Sequence, residues 1–177
     1  MNVNTNELPK NCENWAAIDG YKNYQVSWWG RVRNAKTGRI LKGNLSSAGY
    51  PKVELYKKGI PKTHNIHQLV AREWVPNPEG KRCVDHIDSD KTNNHHENLR
   101  AATHADNMKN RSKRANTTSD YYGVCWHKNS AKWNAQIQIG GKRTNLGNYT
   151  DEKEAAAVFN AAAIEHYGEF AKLNDLT

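Results

Sequence analysis

Residues 83–110 read CVDHIDSDKTNNHHENLRAATHADNMKN, and the way this stretch is parsed decides how the rest of the chain is read. Cys83-Val84-Asp85-His86, with Arg82 before it, has the pattern of a short strand. Ile87 to His96 is a polar loop of Asp and Asn, residues that bond to their own nearby backbone. Leu99 to Ala101 reads as the returning strand. Thr103 stands as an N-cap with Asp106 three residues on, as in a capping box, before a helix from His104 to about Lys113. Strand, loop, strand and helix thus occupy roughly 30 residues, close to the smallest supersecondary unit.

Three side chains of this unit belong together chemically: Asp85, His86 and Asn107. Hydrolysis of a phosphodiester requires a water to lose a proton, the charge on the phosphate to be stabilised and the leaving 3′ oxygen to be neutralised. A carboxylate and an amide carbonyl are suitable ligands for a hard divalent cation. A histidine titrating near neutrality is a natural base for the water. Neighbouring strand residues face opposite ways, so Asp85 and His86 meet one phosphate only if the strand ends or bends there. The polar loop allows that bend. Asn107, in the first turn of the helix, can face back onto the strands, and Asn98 can pin the loop through side-chain to backbone hydrogen bonds. For any single asparagine the competing reading is an ordinary turn residue.

Upstream, Ile66, Leu69, Val70 and Trp74 recur at helical spacing, with Asn65 as N-cap and Pro76 and Pro78 as the stop. From Asn14 to about Tyr56 the texture is one of short strands between turns: Tyr24 to Ser27, Arg31 to Arg33, and Lys52 to Tyr56 with Val53 and Leu55 inward. Downstream, residues 110–119 read as a basic linker. Gly123 to Trp126, Trp133 to Ile139 and Thr144 to Tyr149 then look like three strands, with Gly140-Gly141 as a hairpin turn. Thr150 to Tyr167 is an alanine-rich helix with Asp151 and Glu152 in its first turn and Gly168 at its end. Trp133 and the alanines at 155–157 and 161–163 read as packing between sheet and helix.

The 177 residues carry 26 Lys plus Arg against 18 Asp plus Glu, a formal charge of +8. Such a surplus on a short chain favours a polyanionic partner, nucleic acid above all. Cys12, Cys83 and Cys125 are odd in number and widely spaced, which argues against a disulfide framework or a tetrathiolate zinc site. Cys83 and His86 have the spacing of a zinc pair, but no second pair follows. The first ten residues lack the apolar core of a signal peptide, and no run of about 18 apolar residues spans a membrane.

The run Val84-Asp85-His86-Ile87-Asp88, Asn93-Asn94, Glu97-Asn98-Leu99-Arg100 and Asn107, with His67 to Ala71 upstream, resembles the HNH endonuclease motif in its Asp-His variant over roughly residues 64–112. The resemblance implies Asp85 and Asn107 as metal ligands, His86 as general base and Asn98 as the residue that holds the loop. Trp15, Ile18-Asp19-Gly20-Tyr21, Tyr24 to Ser27 and Gly30 to Arg33 are similar to the NUMOD4 module that often precedes HNH domains, except that Trp28-Trp29 stand where that family usually shows Asn. Arg31 and Arg33 would then lie against phosphates. Tyr122-Gly123-Val124, Trp133 to Ile137, Leu146 to Tyr149, Glu154 to Ala156, Tyr167-Gly168 and Leu173-Asn174 resemble the AP2 DNA-binding domain, whose sheet lies in the major groove. Trp126, His127, Gln136, Gln138, Lys142, Arg143 and Asn145 are then the candidate DNA-facing residues there, with Arg111, Lys113 and Arg114 of the linker on phosphates.

These readings add up to an α+β chain: N-terminal antiparallel strands, a central ββα-metal HNH unit, and a C-terminal three-stranded antiparallel sheet with a helix. The expected division is a flexible 1–13, a β-rich module at 14–60, the nuclease domain at 61–112, a basic linker at 113–119 and the AP2-like domain at 120–177. The expected function is a phage- or intron-encoded, site-specific DNA endonuclease. It would use one Mg²⁺ or Mn²⁺, leave 5′-phosphate and 3′-hydroxyl ends, and act as a monomer or homodimer on double-stranded DNA in the cytoplasm of a bacterial host, without membrane or small-molecule cofactor. A sequence-specific DNA-binding regulator with an inactive HNH domain and an RNA-acting nuclease are the alternatives.

Overall fold

The computed structural model describes residues 13–110 and 118–177. Among the described residues the fold is α+β, built from small antiparallel sheets and three α-helices, in two compact units that divide between Thr103 and His104.

In the first unit, β1 (Trp15–Ile18), β2 (Tyr21–Ser27) and β3 (Val32–Asn34) form one meander. A second follows, of β4 (Asn44–Leu45), β5 (Pro51–Lys57) and β6 (Ile60–Asn65). Helix α1 (Ile66–Trp74) starts directly after β6. The hairpin of β7 (Cys83–His86) and β8 (Leu99–Ala102) completes the unit. Alternation explains β5: Val53 and Leu55 are buried while Glu54 is exposed. Asn65 takes the N-cap position of α1, with no side-chain cap bond.

Ile18, Val26, Val32, Val53, Leu55, Leu69, Val70 and Leu99 form a single buried cluster. Both N-terminal sheets, α1 and β8 therefore share one core. The 60/61 boundary read from the sequence lies one residue into β6, which pairs with β5 from Lys57↔Ile60 to Lys52↔Asn65.

The second unit holds α2 (His104–Lys109), then β9 (Val124–His127), β10 (Lys132–Ile139) and β11 (Lys142–Tyr149) in the order β11-β10-β9, and α3 (Glu152–Tyr167). Helix α3 starts at Glu152, two residues later than expected, because Asp151 is its N-cap and accepts a bond from Glu154 N. Ala155, Ala156, Phe159 and Ala163 are its buried residues. Gly123 admits this packing. At φ +69°, a Cβ there would lie 2.0 Å from Phe159 Cδ2 and 2.7 Å from Gln136 O. Gly123→Ala is therefore expected to destabilise this unit by about 2–3 kcal/mol through overpacking and left-handed strain. A thermal melt of the full chain checks it as a fall in the C-terminal transition.

Candidate active site

Antiparallel register builds the centre of the first unit. In the β7–β8 hairpin Asp85 stands opposite Arg100 and His86 opposite Leu99. Directly opposed residues share a face, so Arg100 reaches Asp85 without a bend: Nε and Nη2 donate to Oδ2 at 2.9 and 2.7 Å. Both partners lie mostly out of solvent.

His86 is buried and ends β7; the chain turns at once, with Ser89 N bonded to His86 O at 2.9 Å. Asn98 closes the loop. Its Nδ2 donates to Asp88 Oδ1 at 2.9 Å and to Asn93 O at 2.8 Å, and its Oδ1 accepts from Asp88 N at 3.1 Å. Asp90 accepts from Thr92 N and Oγ1, and those bonds lower its pKa below the usual carboxylate value.

The surroundings of His86 hold residues to which the sequence reading assigned no role beside His86. Asn94 is buried and its Oδ1 lies 3.1 Å from His86 Nε2, while its Nδ2 donates to Thr92 O at 3.2 Å. The Thr92 carbonyl fixes which end of the amide faces the ring. An amide oxygen facing Nε2 is the partner that suits a ring protonated at that nitrogen. The His67 ring stands edge-on to His86 with centroids 5.1 Å apart, and Tyr50 packs on His67 at 4.9 Å. No spacing rule signals Asn94, Tyr50 or His67, because their partners are 8, 17 and 19 residues away in sequence or more.

Burial pushes the His67 pKa down to about 4, with the neighbouring His86 adding to the effect. The folded protein therefore keeps His67 neutral at pH values where the unfolded chain protonates it. This contribution is fully present above the unfolded value of about 6.5 and is lost as pH falls toward the folded value, at no more than about 1.4 kcal/mol per pH unit. Melting temperatures at pH 7 and 5 should fall further for wild type than for His67→Phe.

Asn107 lies in α2, the fourth of its six residues, in the second unit. Asp106, expected in a capping box, has Oδ1 2.9 Å from Lys109 Nζ. As donors, Asp85 and Asn107 offer a carboxylate and an amide oxygen, chemistry suited to a hard cation that takes few protein ligands. No group of three or more His, Cys, Asp or Glu side chains is placed to hold a metal among the described residues.

The expected nucleic-acid contacts divide by strand register. Gln136 pairs with Asn145 and Gln138 with Arg143, so these four share one sheet face, opposite in parity to buried Ala135 and Ile137. His127, opposite Lys132, belongs to the same face. Trp126 and Lys142 do not, and this corrects their grouping with the others. Trp126 stands opposite Trp133 and packs edge-on against it at 5.0 Å, and Lys142 stands opposite Ile139. Trp133 itself packs on the core of Val124, Ala135, Ala155 and Ala156, as expected. In the first unit Arg31 pairs with Glu13, and Arg33 lies 4.1 Å over the Trp15 ring while donating to Gln25 Oε1 at 2.8 Å. Arg111, Lys113 and Arg114 lie outside the described residues.

A model of the NUMOD4 motif matches residues 13–56, and an HNH endonuclease model matches residues 58–109. The chain is 40% identical over 101 residues to DNA endonuclease I-HmuI of Bacillus phage SP01, covering 56% of this chain and 58% of that protein. The solved structure of DNA binding and cleavage by that HNH homing endonuclease aligns at a TM-score of 0.52, covering 55% of this chain and 56% of that one. Uncharacterized HNH endonuclease L245 of Acanthamoeba polyphaga mimivirus is 40% identical over 85 residues, 48% of this chain and 26% of that protein. Over 58 residues, 32% of this chain and 14% of the relative, the chain is 41% identical to the ethylene-responsive transcription factor WRI1 of Arabidopsis thaliana. The chain thus spans 58% or less of the length of the two curated nucleases named. The chain thus carries a NUMOD4 motif running directly into an HNH endonuclease domain, and over about half its length it is similar to an HNH homing endonuclease.

Proposed function

We propose that the protein is a site-specific endonuclease of double-stranded DNA in which His86 is the general base. The observation that carries this reading is the buried Asp85-His86 pair at the end of β7, with Arg100 on the carboxylate and Asn94 on the imidazole. Asn94 holds a proton on Nε2, so Nδ1 takes the proton from the attacking water. Asn98 keeps the loop closed around the base. HNH endonucleases generally depend on a divalent metal; Asp85 and Asn107 would hold one Mg²⁺ or Mn²⁺, which supplies positive charge beside the phosphate and the leaving oxygen. The products carry 5′-phosphate and 3′-hydroxyl ends. One site per chain cuts one strand, and a double-strand break takes two chains or two encounters.

Selectivity rests on the flanks. The C-terminal unit, with its AP2-like residue pattern, would present Gln136, Gln138, Asn145, Arg143 and His127 to base edges: amides suit adenine and arginine suits guanine. Arg33, held over Trp15, and Arg31 would meet phosphates, with Arg111, Lys113 and Arg114 adding sequence-independent contacts. The likeness over 58 residues to WRI1, named as a transcription factor, agrees with an AP2-like segment in this chain.

Incubation with supercoiled plasmid in Mg²⁺ or Mn²⁺ tests the reading. Nicked circles are expected with metal and none with chelator. Wild type that leaves DNA intact but binds it would establish the regulator instead, and preferential cleavage of structured RNA would establish the RNA-acting nuclease.

A further inference from the structure

The turn after β2 meets the nuclease loop residue for residue. Trp28 O accepts from His96 N at 2.8 Å, and the two rings stack with centroids 5.5 Å apart and planes 13° from parallel. Trp29 packs on His95 at 4.2 Å. Gly30 abuts Asn94: a Cβ at this glycine would lie 2.7 Å from Asn94 Cβ and 3.2 Å from Asn94 O. Three consecutive residues of the N-terminal module thus face three consecutive residues of the loop, in reverse order.

The turn is closed by its own hydrogen bonds. Ser27 is fully buried; its N bonds to Arg31 O, its Oγ accepts from Arg31 N, and its O accepts from Gly30 N, at 2.9, 3.0 and 3.0 Å. Gly30 has φ +81°, which no side-chain-bearing residue adopts without strain. Asn94, at the other side of this contact, is the residue whose amide faces His86 Nε2. Its position therefore has two determinants, the Thr92 carbonyl within the loop and the wall formed by residues 28–30.

We propose that the Trp28-Trp29-Gly30 turn is a positioning element of the nuclease site, setting the place of Asn94 and thereby the tautomer and orientation of His86. The N-terminal module is then part of the catalytic scaffold as well as a DNA-contacting element. Trp28 and Trp29, which stand where the related modules usually show Asn, are the residues that complete this contact. The inference rests on the nuclease reading above.

The test compares Gly30→Ala with Gly38→Ala in the full chain. Gly38 lies in the same module at φ +70° with open space around the position, so it reports backbone strain without the Asn94 contact. Gly30→Ala is expected to lower kcat for plasmid nicking about 10-fold or more, with KM for DNA within about twofold of wild type. Gly38→Ala should keep wild-type kcat. In an Asn94→Ala background, adding Gly30→Ala should change kcat little, as coupled residues do. Nitrogen chemical shifts of the His86 ring should show the Nε2-protonated tautomer in wild type and both tautomers in Gly30→Ala. If Gly30→Ala does not fold, Trp28→Leu carries the same expectation and Trp28→Phe should restore most of kcat. A Gly30→Ala enzyme with wild-type kcat and one His86 tautomer, or an equal loss in Gly38→Ala, overturns the inference. Wild type that never nicks overturns the nuclease reading alone, because the tautomer populations still report the contact.

Discussion

His86→Ala is expected to lower the rate of metal-dependent plasmid nicking by about 10²–10⁴-fold, the usual worth of a positioned general base, while leaving DNA affinity close to wild type. The side chain is buried, ends its strand, and has its Nε2 against the Asn94 amide oxygen at 3.1 Å. In the proposed mechanism, removing it takes away the acceptor for the water's proton. The residual rate should rise with pH, since hydroxide then substitutes for the missing base. A His86→Ala enzyme that nicks as fast as wild type would end the assignment. Single-turnover nicking under saturating protein makes the comparison independent of binding.

Asp85→Ala should be both inactive and unstable, and a second substitution separates the two effects. Arg100 donates twice to Asp85 Oδ2, and only about a tenth of the Asp85 side chain is open to solvent. Truncating one partner of a buried pair strands the other charge, at a cost of about 3–5 kcal/mol. Replacing Arg100 by Met in the same chain removes the stranded guanidinium. The double variant is expected to recover much of the lost stability, because an apolar pair of similar volume is often neutral. Nicking should remain absent, because the carboxylate that would bear the cation is still missing. Calorimetry and the nicking assay on Asp85→Ala, Arg100→Met and the double variant give the full cycle. Recovery of activity along with stability would mean that Asp85 acts only as the partner of Arg100.

Much of the fold was legible because its determinants are local. Helix α1 follows from Ile66, Leu69, Val70 and Trp74 at helical spacing, and β5 from Val53 and Leu55 at strand spacing. The loop of Asp88, Asn93 and Asn98 is a set of short-range bonds by residue types that favour them. Strand β6 was not legible. Ile60-Pro61-Lys62-Thr63-His64-Asn65 is almost wholly polar, and Pro61 weakens a strand pattern. The segment is an edge strand, and proline is tolerated at an edge where no ladder donor is lost. Strand β1, Trp-Ala-Ala-Ile, escaped notice because alanine carries little strand preference. Its pairing with β2 supplies what its composition does not.

By itself, the sequence determined the chemistry available and the local units that carry it: Asp85-His86 on a strand, Asn98 in a polar loop, Asn107 in the helix that follows, and a basic surplus of +8. Those features depend on residue type and on periodicity over a few positions, which a linear reading can follow. The tertiary structure alone decided that Arg100 grips Asp85, that the Asn94 amide lies against His86 Nε2, that Trp126 faces away from Gln136 and Gln138, and that residues 28–30 wall in residues 94–96. Each of these is set by strand register or by closure of the shared core. Register flips a side chain to the opposite face with a one-residue slip, and core closure joins segments more than sixty residues apart, so neither is written in the local pattern.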